Sequence, residues 1–134
     1  NAGSGNVTGG GMAGAGNVIS SNGIGVQVSS ASSGAVIQGN TIGLAVDGDT
    51  VLANSQNGID VLGASINTLI GTDSNGVNDA GERNVISGNL NNGVSIGGVG
   101  TTGTTVAGNF IGTNAAGMAA RGNAWNGLNA APPL

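Results

Sequence analysis

Asn84-Val85-Ile86-Ser87-Gly88-Asn89, followed by Asn92-Gly93-Val94-Ser95-Ile96, is the stretch whose reading decides the fold. Apolar residues alternate with small or polar ones, and glycine and asparagine mark the bends. A period of two is that of short strands with one buried face. Gly and Asn tolerate left-handed backbone angles, so they suit sharp bends. Outward from this stretch the pattern recurs. Asn22, Asn40, Asn57, Asn75, Asn92, Asn109 and Asn126 follow one another at an almost constant short step. Two places after each stands an aliphatic residue: Ile24, Ile42, Ile59, Val77, Val94, Ile111 and Leu128. A fixed polar-then-apolar period means stacked repeats rather than an ordinary globular core.

The expected fold is therefore all-β: a parallel β-helix, or β-solenoid, of about seven to eight coils of ~17 residues, ~35–40 Å long at the ~4.8 Å strand spacing. The seven asparagines should form one column of side-chain amides bonded coil to coil, with Ile24, Ile42, Ile59, Val94, Ile111 and Leu128 buried beneath them. One domain spans 1–134: a degenerate Gly-rich first coil over 1–15, regular coils over 16–129, and a proline arm over 130–134. A longer period overlies the short one. Asn17-Val18-Ile19 returns as Asn84-Val85-Ile86, which at ~17 residues per coil would be four coils later. Sustained i, i+3, i+4 patterns are lacking, and glycine interrupts every long window, so helices find little support.

Asn84 to Asn89, Asn92 to Ile96 and Val106-Ala107-Gly108-Asn109-Phe110-Ile111-Gly112-Thr113 together resemble the right-handed parallel β-helix (pectate-lyase-like) repeats of secreted bacterial surface proteins. The resemblance covers roughly residues 14–130. It implies right-handed winding and an extracellular or bacterial cell-surface location. Its class includes pectate-lyase-like enzymes, alginate epimerases, phage tailspikes and surface proteins without known activity, so it implies no single chemistry.

Composition narrows the functions. The net charge is −4, with no Lys and only Arg83 and Arg121. Two arginines cannot neutralise a phosphate backbone, so nucleic acid is excluded as a partner. No apolar run is long enough to span a bilayer, so membrane insertion is not expected. There is no Cys, which removes disulfides and thiolate zinc sites. The chain opens on Asn1 with no signal peptide in view, and it reads as a mature or excised piece of a longer precursor.

Lyases and epimerases need a base beside a carboxylate and a cation to neutralise it. His, Lys and Tyr are absent. Glycosidases need two facing carboxyls. The acids here are Asp47, Asp49, Asp60, Asp73, Asp79 and Glu82. Asp47-Gly48-Asp49 reads as a solvated turn, and Asp60 as an outward strand residue. No catalytic residue is assigned, and the chain is not expected to be an enzyme. The segment Asp73-Ser74-Asn75-Gly76-Val77-Asn78-Asp79-Ala80-Gly81-Glu82 alternates oxygen ligands with small residues, as a calcium loop needs. It also resembles the calcium segments of bacterial surface proteins, two residues short in the middle. Asp73, Asn75, Asn78, Asp79 and Glu82 are the candidate ligands, and an ordinary polar turn is the other reading. Phe110 and Trp125, the only aromatics, are expected near each other with Arg121 in reach, as a self-association surface or a sugar-stacking platform.

These readings converge on a non-enzymatic extracellular structural module: a stalk, adhesin segment or filament subunit. The alternative is a polysaccharide-binding or polysaccharide-processing domain whose active site lies outside this chain. The ends of a solenoid expose unpaired backbone groups, and little charge is present to block them. A homo-oligomer or filament stacked end to end is therefore the expected assembly, with an extracellular glycan as the partner under the alternative.

Overall fold

Val26 lies beside Ile59, Ile59 beside Val94, and Val94 beside Leu128, always parallel. Each of these steps is about twice the short asparagine step, so one turn of the solenoid takes two short steps. In the computed structural model, which describes residues 3–131, the chain makes a parallel β-solenoid of four coils, not seven to eight. At the ~4.8 Å strand spacing this is a stack of ~20 Å rather than ~35–40 Å. The longer period, from Asn17 to Asn84, spans two coils, not four. The halved count follows from two bends per turn that carry similar Gly/Asn chemistry.

Each coil contributes one strand to each of three parallel sheets. Sheet 1 stacks β1 (Val7–Gly9), β4 (Val36–Gln38), β7 (Leu69–Gly71) and β10 (Thr105–Ala107). Sheet 2 stacks β2 (Val18–Ile19), β5 (Thr41–Ile42), β8 (Val85–Ile86) and β11 (Phe110–Ile111). Sheet 3 stacks β3 (Val26–Val28), β6 (Ile59–Val61), β9 (Val94–Ile96) and β12 (Leu128–Ala130). The Gly-rich opening thus supplies β1. Of the expected 130–134 arm, residues 132–134 lie outside the described residues.

Between the three walls lie Ile37, Ile42, Ile59, Val61, Ile70, Ile86 and Val94, each at most 1% exposed. Each coil supplies one layer of this core and buries the layer before it. The expected burial of the aliphatic residues therefore fails at the ends. Ile24 and Ile111 are only half-buried, and Leu128 is 47% exposed, because coils 1 and 4 each lack a neighbour on one side. Val77, not among the residues expected to be buried, is exposed in a loop outside every strand.

The coils alternate in shape. Between sheets 1 and 2, coils 1 and 3 carry the long segments 10–17 and 72–84, while coils 2 and 4 turn in two residues, 39–40 and 108–109. Between sheets 2 and 3 the order reverses. Coils 1 and 3 turn over 20–25 and 87–93, and coils 2 and 4 carry 43–58 and 112–127. The latter two each fold out as a hairpin, bridged antiparallel at Leu44–Val51 and Thr113–Ala120. The only helix among the described residues is α1 (Asp79–Glu82), within the 72–84 segment. Glycine is required where a wall turns out into such a segment. Gly71 has φ +101°, and a Cβ there would strike the Ala107 carbonyl of the next coil.

Candidate functional sites

The asparagines form three columns, not one. Along the first, Asn17 donates through its backbone N–H and its Nδ2 to Asn40 Oδ1, Asn40 does the same to Asn84 Oδ1, and Asn84 to Asn109 Oδ1, all at 2.9–3.1 Å. The second runs Asn22, Asn54, Asn89, Asn123. The third runs Asn57, Asn92, Asn126 with the direction of donation reversed: Asn126 donates to Asn92 Oδ1 and Asn92 to Asn57 Oδ1. Asn40, Asn54, Asn84 and Asn89 are completely or almost completely buried. Their amides also serve backbone carbonyls at the bends, as Asn84 Nδ2 does for Ile37 at 2.8 Å. A buried amide that uses both ends costs little to bury and fixes the register of neighbouring coils.

The seven predicted members are therefore divided. Asn40 and Asn109 stand in the first column, Asn22 in the second, and Asn57, Asn92 and Asn126 in the third. Asn75 stands in none. Asn17, Asn54, Asn84, Asn89 and Asn123 belong to the ladders and were missed by counting the short step alone. The even, double-length steps from Asn54 to Asn89 to Asn123 carried the signal.

Asn75 lies instead in the 72–84 segment, exposed. There the carboxylates of Asp73, Asp79 and Glu82 converge within 4.8 Å, Glu82 being buried. Each already accepts a backbone N–H of its own loop: Asp73 Oδ1 from Asn75 at 3.0 Å, Asp79 Oδ1 from Gly76 at 3.2 Å, Glu82 Oε2 from Asp73 at 3.0 Å. The other two expected ligands are engaged differently. Asn75 Oδ1 accepts from Val77 N and its Nδ2 donates to Asp73. Asn78, left-handed at φ 60°, precedes α1, and its carbonyl accepts from Gly81 and Glu82 N–H. Three of the five predicted calcium ligands thus come together. Convergence is what a cation requires, but a loop closed on its own N–H groups produces the same convergence. The residues alone assign no ion.

The contacts that Phe110, Arg121 and Trp125 make among the described residues are with other partners than one another. Phe110 lies under Arg83, whose guanidinium carbon stands 4.0 Å from the ring centre, while Arg83 Nε donates to Gly108 O. Gly117 approaches the same ring. Arg121 belongs to the paired hairpins. Its Nη2 meets Asp49 Oδ1 at 2.8 Å, its Nε donates to Asp49 O, and Asn114 Nδ2 donates to Asp49 Oδ1. Trp125 is 73% exposed, and among the described residues only its backbone N–H is engaged, with Asn91 O.

The hairpin turn at Asp47 behaves as the sequence suggests. Asp47 accepts from Thr50 Oγ1, Asp49 N and Thr50 N. The Thr50 hydroxyl first, then the two backbone N–H groups, hold its carboxyl down at about 2 from 3.8. Asp60 faces outward from β6, in register with Gln27 and Ser95, which carry no charge.

No protein-family model matches the chain, and no curated protein or solved structure is detectably similar to it. Among the described residues, no helix is long and apolar enough to cross a membrane.

Proposed function

We propose that this chain is a non-enzymatic extracellular structural module, a stiff right-handed segment of a stalk, adhesin or filament. The observation that carries the reading is what the acids do. Asp47, Asp49, Asp73, Asp79 and Glu82 all spend carboxylate oxygens on hydrogen bonds that close a turn, a loop or a hairpin pair. Asp60 faces only neutral neighbours along its column. A general acid or base needs a carboxyl free to exchange a proton with substrate. Two of the ladders and the aliphatic layers, in contrast, run through all four coils and resist bending and slippage between them.

The other reading, a polysaccharide-binding domain, is favoured by one observation, the exposed Trp125 indole, since exposed aromatic faces stack on sugars. Incubation with pectin, alginate and neutral glycans separates the two. The structural module releases no product, and Trp125→Ala leaves retention on every glycan gel unchanged. Turnover lost on mutating an acid, or retention lost with Trp125→Ala, overturns it.

A further inference from the structure

Both ends of the stack leave the ladders unfinished, and they do so in complementary ways. At the coil 4 end, among the described residues, nothing accepts the backbone N–H of Asn109 or Asn123, and nothing donates to Asn126 Oδ1. At the coil 1 end, again among the described residues, nothing donates to Asn17 Oδ1 or Asn22 Oδ1, and nothing accepts the Ile24 N–H. Ile24 is the coil 1 residue of the third column, since Gly25 N donates to Asn57 O one coil on, as Gly58 N does to Asn92 O. Inside the molecule a backbone N–H meets an amide oxygen at every junction of the first and third columns; in the second it does so at Asn22–Asn54 and Asn89–Asn123, while Asn54 meets Asn89 Oδ1 through Nδ2. The two ends supply the missing halves of all three columns, including the reversed third one.

Shape agrees with this pairing. Coil 1 has the corner pattern of coil 3, and coil 4 that of coil 2. Coil 1 of a second copy set on coil 4 of the first would therefore reproduce the junction of coils 2 and 3.

The hairpins give an independent check, because the second repeats the first position for position. Ala45 N to Thr50 O, Gly48 N to Ala45 O and Leu52 N to Gly43 O recur as Asn114 N to Ala119 O, Gly117 N to Asn114 O and Arg121 N to Gly112 O. Within the chain the first hairpin meets the second through Asp49 against Arg121 and through Ala115 N to Gly48 O. At a head-to-tail junction, the residue in the place of Asp49 is Met118, and the one in the place of Arg121 is Leu52. Val46 stands in the place of Ala115, so its N–H faces the Gly117 carbonyl. Met118 is 86% exposed, Val46 88% and Leu52 45%. An ion pair inside the chain is thus replaced, at the same geometric position, by apolar groups that lie open on both faces. Apolar side chains so exposed gain by covering one another.

We propose that the partner is a second copy of this chain, with coil 1 seated on coil 4 and hairpin 44–51 seated on hairpin 113–120. Such a contact is heterologous and repeats, so it builds a filament. The proposal rests on the structural-module reading and names its partner.

Sedimentation across a concentration series tests it. The chain gains mass in steps of one copy, and Met118→Asp or Leu52→Arg each weakens association about tenfold with unchanged circular dichroism and Tm. Mixing the two variants restores association, because the junction then carries the pair that Asp49 and Arg121 make inside. A chain that stays monomeric at its highest soluble concentration overturns the proposal, as does association that both variants leave untouched. A monomer that is also inert on glycans leaves the structural-module reading standing, so the two can fail separately.

Discussion

Asn75 and Asn109 occupy the same place in sequence and opposite places in space. Each falls halfway between two members of the Asn57–Asn92–Asn126 column. Asn109 enters a ladder, accepting from Asn84 and donating to Ile70 O. Asn75 is exposed in a loop, tied to Asp73 and Val77. The connection between sheets 1 and 2 is two residues in coil 4, 108–109, and thirteen in coil 3, 72–84. Coil 3 recovers its length at the next corner, turning over 87–93 where coil 4 needs 112–127. Equal spacing along the chain thus measures contour length around half a coil. It does not say which corner a residue occupies.

The largest effect expected from this contrast is on stability. Asn84→Ala strips the Asn40 backbone N–H of its acceptor in the dry interior and frees the Ile37 carbonyl. It should cost about 2–4 kcal/mol. Asn75→Ala removes only solvent-exposed bonds and should stay within about 0.5 kcal/mol. Urea unfolding at constant m-value compares them, and similar midpoints for the two variants would erase the distinction between ladder and loop.

Much of the fold was legible in the sequence, and the reason is physical. Short strands with one buried face show in Val94-Ser95-Ile96, where the period of two survives single-sequence reading. The coil count was not legible, because two of the three corners of a turn use Gly and Asn and so look alike. The return of Asn17-Val18-Ile19 as Asn84-Val85-Ile86 was visible, but its meaning of two coils depended on knowing the length of one. At the acidic loop, the convergence of Asp73, Asp79 and Glu82 was legible from their spacing. The fate of Asn75 and Asn78 was not, because α1 and the left-handed Asn78 set the path of the loop. The Asp49–Arg121 pair, distant in the chain, leaves no local pattern, and neither does the Arg83–Phe110 stack.

A smaller effect sharpens the comparison at the hairpin turn, which Asp47 closes together with the backbone bonds of Ala45 and Gly48. Its carboxyl is held at about 2, below the ordinary 3.8. A depressed folded value means that its contribution is present above the unfolded pKa and is lost as pH falls through the folded one. The turn should therefore persist at pH 3 and loosen toward pH 2. A carboxyl carbon titration by NMR should show the Asp47 midpoint near 2; a midpoint near 3.8 would mean that the Thr50 and backbone bonds do not persist in solution.

Backbone hydrogen exchange tests the three-column solenoid most directly. The N–H groups of Asn40, Asn84, Asn89 and Asn92 donate to amide oxygens of adjacent coils, so they should exchange only through global unfolding. The Asn75 N–H, bonded to an exposed carboxylate, should exchange orders of magnitude faster. Uniform protection of all seven evenly spaced asparagines, Asn75 included, would contradict the three columns and restore the single ladder.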